Sequence, residues 1–272
     1  MPKGQGRRCW GFLSDGGEWA RCTRPELAGN APDRGGYVHK TTGKCACGSS
    51  HGNWIPPLPV MKPPNDNREY ALKIWEQGVR IEGTLAEKYL RSRAIKIELP
   101  PYLRFHPELR HTDTDTYHPA LLAAVTVDSP EIVAVQRTYL SKDGTGKSAI
   151  SPNKMTIGSS LRGSVKLDMP GRFIALAEGV ETALSVQQQT NLPTWAVLGS
   201  KNIPNVHLPD LPQASRVSIF SDGDDDGRDA CAKAGDRFHF EGRECVIVPA
   251  PDAKDWNDVL VEEEVAKNAK DY

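Results

Sequence analysis

A chain of 272 residues is long enough for one large or two moderate domains and needs no disulfides to carry its core. Charged residues make up 25% of it and hydrophobic residues 38%, and no segment approaches the roughly 20 consecutive apolar residues that cross a bilayer, which excludes a membrane-spanning reading. The basic start, with Lys3, Arg7 and Arg8, lacks the apolar run of a secretory signal, so a cytoplasmic protein is expected. A net charge of −1 hides an asymmetry: residues 1–110 hold 18 Lys and Arg against 11 Asp and Glu, and the remainder 16 against 24. A basic front attracts a phosphate backbone, whereas an acidic back repels it unless cations neutralise the carboxylates.

Residues 1–53 are rich in Gly, Cys and His and poor in aliphatics, so a core there is too small to hold without a staple. Four of the six cysteines fall in this stretch, which points to metal rather than disulfides in an intracellular chain. Cys22, His39, Cys45 and Cys47 supply the nitrogen and sulfur ligands of a structural zinc site, with Cys9 or His51 able to replace one of them. Residues 54–65, with Pro56, Pro57, Pro59, Pro63 and Pro64, read as a stiff linker.

Residues 66–170 read as a basic α+β subdomain. Tyr70, Ala71, Ile74 and Trp75 have helical spacing within Asp66–Gln77, and Gly78 supplies a stop. Thr84 with Glu87 makes a capping-box pattern for a second helix carrying Leu85, Tyr89 and Leu90. Leu121–Val127 and Ile132–Leu140 then read as adjacent strands, and Ser141–Gly146 has Asp-Gly turn chemistry. Lys142, Lys147, Lys154, Arg162 and Lys166 lie in a Gly/Ser-rich stretch suited to phosphate contact; Arg137, Lys154 and Arg162 are the nucleotide- or DNA-binding candidates.

Residues 171–262 change pattern. Strand Phe173–Ala177, helix Glu181–Gln189, a strand around Trp195–Leu198, strand Val217–Phe220, helix Gly227–Phe238 and strand Cys245–Val248 alternate as in a parallel sheet with covering helices, an α/β fold. Cys231 and Cys245 fall on core elements, and residues 263–272 read as a tail. Ligands of such sheets collect at the carboxyl ends of the strands. Here those ends are acidic: Glu178 follows the first strand, and Asp222, Asp224, Asp225 and Asp226 follow the third. So many like charges need a hard divalent cation, magnesium or manganese, which can bind triphosphate oxygens and orient an attacking hydroxyl.

The arrangement resembles the Toprim domain, which is shared by bacterial-type primases, topoisomerases and some nucleases. That domain carries a Glu after its first strand and Asp-x-Asp after its third, the places held here by Ala177-Glu178-Gly179 and Asp222-Gly223-Asp224. Glu181 and Thr182 open the next helix as in the Glu-Gly-x-Glu-Thr-Ala variant of phage and plasmid primase-helicases. The resemblance implies that Glu178 is a general base or metal-bridging residue, that Asp222 and Asp224 are metal ligands, and that Asp226 and Asp255 are outer ligands. Lys254-Asp255-Trp256-Asn257-Asp258 resembles a motif found beyond the fourth strand of primase-type domains, and places Lys254 among the nucleotide-binding candidates. Tyr89–Ile95, Leu103–Pro107 and Val135–Leu140 look like the subdomain that precedes Toprim in those primases, whose N-terminal zinc module reads template.

The implied protein is a primase-like nucleotidyltransferase that joins ribonucleoside triphosphates into short RNA primers on a single-stranded DNA template. No Gly-x-x-x-x-Gly-Lys-Ser/Thr phosphate loop is present, so a helicase would be a separate partner. The alternatives are a Toprim nuclease and a non-catalytic nucleic-acid-binding protein accessory to recombination or replication.

Overall fold

The computed structural model describes residues 11–13, 19–22, 37–40, 67–223, 225–251 and 253–269. The chain divides into two compact units, Met1–Pro63 and Pro64–Tyr272. In the first, β1 (Gly11–Leu13), β2 (Trp19–Cys22) and β3 (Tyr37–Lys40) form an antiparallel sheet in that order, with Cys22 opposite Tyr37 and His39 opposite Ala20 along the backbone. Of the expected zinc ligands, Cys45 and Cys47 lie outside the described residues, as do Cys9, His51, the Pro-rich stretch and the side chains of Cys22 and His39.

The second unit begins with α1 (Arg68–Gln77), which buries Ala71, Ile74 and Trp75. Gly78 ends the helix for a packing reason: a Cβ there would sit 2.9 Å from Leu122 Cδ1 and 3.2 Å from Arg104 Cβ. After the two-residue β4 (Val79–Arg80) comes α2 (Leu85–Ser92). Its expected capping box does not form. Thr84 Oγ1 donates to the Ile81 carbonyl at 2.6 Å, and Glu87 accepts from the Gly83 N–H at 2.7 Å instead, so the two side chains are spent on the preceding turn.

β5 (Leu103–His111), β6 (Thr116–Thr126), β7 (Ile132–Tyr139) and β8 (Lys154–Gly158) complete an antiparallel sheet of order β4-β5-β6-β7-β8. β6 is buried along Pro119–Thr126 because both faces of the sheet are covered, and this explains its unbroken apolar run. Leu122, Ala124, Val135 and Tyr139 pack on α1, while Leu121, Ala123, Val125 and Ala134 point into a second core.

That second core is shared. Its other members include Ala175, Ala177, Leu184 and Leu260, which belong to the second sheet and its helices. The second sheet comprises β9 (Val165–Lys166), β10 (Phe173–Ala177), β11 (Thr194–Ala196), β12 (Arg216–Ser221) and β13 (Glu244–Pro249), in the order β13-β12-β10-β11-β9. β10, β11, β12 and β13 are parallel, as the alternation predicts. β9 is antiparallel to β11, so the sheet is mixed, and two residues carry too little periodicity to announce a strand.

α3 (Val180–Thr190) and α5 (Trp256–Asn268) cover one face, and α4 (Asp225–Phe240) with a 3-10 turn at Ser200–Asn205 covers the other. α5 also corrects the expected tail, since it runs helical through residues 263–268. Its acidic stretch Glu262-Glu263-Glu264 lies largely toward solvent, while Trp256 stacks edge-on against Phe220 at 5.3 Å and Leu260 is buried. No described helix is long and apolar enough to cross a membrane.

Candidate active site

The two carboxylates singled out by their place after strands leave neighbouring strands. β10 and β12 pair in parallel with Ala177 opposite Phe220, so Glu178 and Asp222 emerge together at the carboxyl edge of the sheet. Both line one cleft of about 270 Å³. The Glu178 carbonyl accepts from the Gly199 N–H at 3.1 Å, which ties the first acidic turn to the bend that follows β11. Gly223 fixes the second turn. A Cβ there would lie 2.2 Å from the Pro251 carbonyl oxygen, and its N–H donates to the Lys254 carbonyl at 2.9 Å. Only a glycine lets that backbone approach, which is why Asp222 and Asp224 flank one.

Asp224 and the side chain of Asp226 lie outside the described residues. Among the described residues no group of three His, Cys, Asp or Glu side chains is close enough to hold one ion. Glu178 and Asp222 offer hard carboxylate oxygens in one cleft, a donor set that suits magnesium or manganese. Asp255 lines the same cleft, but its Oδ1 accepts from the N–H groups of Asn257 and Asp258, both at 2.8 Å, as the cap of α5.

Opposite the acidic edge stand cations from the upstream subdomain. Arg93, Lys147 and Lys154 line the cleft, and both lysines converge on Glu181. Lys154 Nζ donates to Glu181 Oε2 at 3.2 Å, Lys147 Nζ lies 3.6 Å from Oε1, and the Tyr89 hydroxyl donates to Oε1 at 2.9 Å. Glu181 is only 4% exposed. Burial pushes its carboxyl up, but the Lys154 and Lys147 charges with the hydrogen bonds outweigh that and hold it at about 2. Burial and then the Glu181 charge push the Tyr89 hydroxyl well above its usual range, so it remains a donor.

The remaining expected residues fall elsewhere. Arg137 sits on the opposite face of β7, 3% exposed, with Nη1 donating to the Tyr139 hydroxyl at 3.2 Å. The neighbouring Gln136 is the β7 residue that lines the cleft. Arg162, at φ 65°, is held by its backbone: its N–H donates to Asn202 Oδ1 and its carbonyl accepts from His207, while its side chain is exposed. Lys254 reaches away to Glu262 at 2.7 Å.

Glu181 stands in the sequence as part of the helix-opening Glu-Gly-x-Glu-Thr-Ala pattern, which assigns it no site role. Its spacing of three from Glu178 was the available signal. Tyr89, Arg93 and Gln136 fall in stretches that resemble the subdomain preceding Toprim, but nothing local reveals which residues of a doubly covered element meet a distant cleft.

Residues 173–265 match the family model described as the Toprim domain. This chain carries a Toprim domain. Residues 65–167, upstream of it, match a domain of unknown function, DUF7146. No curated protein matches the chain. The solved DnaG primase catalytic domain bound to single-stranded DNA is similar over 75% of this chain and 80% of that one, at 13% identity and a TM-score of 0.50, so the upstream subdomain and Toprim together share that fold. A DNA primase domain from Pseudomonas aeruginosa is similar over 75% and 77%, at 15% identity and a TM-score of 0.46. The zinc-binding and RNA polymerase domains of the Aquifex aeolicus primase are similar over 94% and 79%, at 15% identity and a TM-score of 0.44.

Proposed function

We propose that this Toprim protein is a DNA primase, a nucleotidyltransferase that makes short RNA primers on single-stranded DNA. The observation that carries the reading is the cleft in which Glu178 and Asp222 face Lys147, Lys154 and Arg93. A polyphosphate needs both walls: cations for the oxygens that are not metal-bound, and carboxylates to hold the metal. Magnesium or manganese, held by Glu178 and Asp222 with Asp224 and, further out, Asp226 and Asp255, would neutralise charge that develops on the transferring phosphate. In this reading Glu178 either bridges the metal or takes the proton of the attacking primer hydroxyl. Lys154 belongs to the nucleotide-binding wall together with Lys147. Arg137, buried against Tyr139, and Lys254, paired with Glu262, do not line the cleft, and exposed Arg162 is left to contact template outside it.

Residues 1–53 form the zinc-binding module of this reading, with Cys22, His39, Cys45 and Cys47 as ligands. One zinc per chain in the purified protein, lowered by Cys45→Ser, is the expected elemental analysis; equal metal in both would remove the module. A separate replicative helicase is the expected partner, and the cytoplasm the expected location.

The deciding experiment supplies labelled ribonucleotides, magnesium and single-stranded DNA. Wild-type protein is expected to make short RNA, and Asp222→Ala to lose at least about a hundredfold, the scale of removing one preorganised charge partner. Template cleavage without primer synthesis would instead make the protein a Toprim nuclease, and binding without either reaction a non-catalytic accessory protein.

A further inference from the structure

Metal-held phosphoryl transfer leaves one buried charge in the cleft unused. Glu181, in the first turn of α3, does not face the acidic turns; both its oxygens are turned to Lys147, Lys154 and Tyr89. A lone buried carboxylate is costly, and one lysine would have neutralised it. Two converge on it, which leaves this trio with a net charge of +1 on the wall that faces Glu178 and Asp222. Lys147 lies between β7 and β8 and Lys154 opens β8, and their long side chains lose much rotamer freedom when held in one place. Gln136 lines the same wall and is 7% exposed, and among the described residues its Oε1 has no hydrogen-bond partner. An amide turned over presents its NH2 at that point instead.

We propose that Glu181 is a positioning residue, which holds Lys147 and Lys154 beside the Gln136 amide as a ready-made receptor for one phosphate group of the nucleotide. The inference rests on the nucleotide reading above and adds a device to it. The entropic loss of ordering the two lysines is met during folding, so a phosphate arriving in the cleft does not have to meet it again. Tyr89, donating from α2, fixes the rotamer of Glu181 itself.

The proposal makes a prediction opposite in sign to simple electrostatics. Glu181→Gln raises the charge of the trio from +1 to +2, and Coulomb attraction alone would tighten binding of a polyanion. Positioning requires that it weaken. The measurement is titration calorimetry of the full chain with inorganic tripolyphosphate in magnesium, for wild type, Glu181→Gln, Lys147→Ala/Lys154→Ala and the triple variant.

Glu181→Gln is expected to raise the Kd about tenfold, the scale of one charge-assisted contact, and to add nothing in the lysine-free background. Unchanged or tighter binding overturns the proposal. So does an equal loss in both backgrounds, which would mark a purely structural residue. Should Glu181→Gln fail to fold, Tyr89→Phe removes one hydrogen bond to Oε1 and decides instead: weaker tripolyphosphate binding supports positioning, and no change defeats it. Failure of wild type to bind tripolyphosphate overturns this inference, whereas intact binding without primer synthesis overturns the primase reading alone.

Discussion

Glu181 shows how a single side chain can tie stability to pH. Its carboxyl is held at about 2, against an ordinary 4.5, because two ammonium groups outweigh the cost of burial. A carboxyl depressed on folding stabilises the native state fully above its unfolded value and loses that contribution as the pH falls. The loss therefore runs from about pH 4.5 downward toward about 2. Thermal melts of wild type and Glu181→Gln between pH 5 and 3 should converge, with the wild type falling the more steeply; parallel slopes would mean that the trio contributes nothing to acid stability. Other depressed carboxyls, Asp143 and Glu264 among them, remain in both proteins and cancel in the comparison. At this scale the acidic residues after β10 and β12 were legible in sequence, because strand ends are predictable from apolar runs. The partner of Glu181 was not, because Lys147 and Lys154 arrive from 34 and 27 residues away through a turn and a neighbouring sheet.

Among the elements, α5 begins in a motif with a second role. The resemblance gives Lys254-Asp255-Trp256-Asn257-Asp258 a nucleotide-binding Lys254 and an outer ligand in Asp255, and the structure adds a fastening role while Asp255 stays on the cleft wall. Asp255 caps the helix in a full capping box with Asp258, Trp256 packs on Phe220, and Asn257, wholly buried, donates to the Arg93 carbonyl at 2.9 Å and to Ser185 Oγ at 2.8 Å. Asp258 also meets Arg93 at 3.5 Å, so α5 secures the end of α2 to α3 beside the cleft. Asp255→Ala should lower stability by about 1 kcal/mol through loss of the cap, read from chemical denaturation. Asn257→Ala should cost more, about 1–3 kcal/mol, since it strands buried partners. If Asn257→Ala were as stable as wild type, the fastening role would be wrong. The helix-strand alternation announced β10 to β13 well, whereas β9 and the last turns of α5 were hidden: one is too short to show a period, and the other carries its charges where solvent and neighbouring helices share its surface.

The second unit behaves as one body in its packing. Leu90, Leu121 and Val125 from the upstream subdomain share a core with Ala177, Leu184 and Leu260 of Toprim, and the cleft takes its cations from the first and its carboxylates from the second. A shared core predicts a single cooperative transition for residues 64–272, with tryptophan fluorescence and far-ultraviolet dichroism coincident. Two separated transitions would show that the subdomains are independent, despite the boundary between them being visible as a change of sequence period near residue 170.

By itself the sequence determined the alternation of strands and helices, the acidic ends of two strands and the opposite charge of the two halves, since each follows from local periodicity or composition. Only the tertiary structure decided that the upstream subdomain and Toprim meet in one cleft, that Gln136 rather than Arg137 faces it, and that Glu181 turns to lysines. Those outcomes depend on which face of an element is covered by which distant neighbour, and that is settled by packing between residues far apart in the chain, where no local pattern reports it.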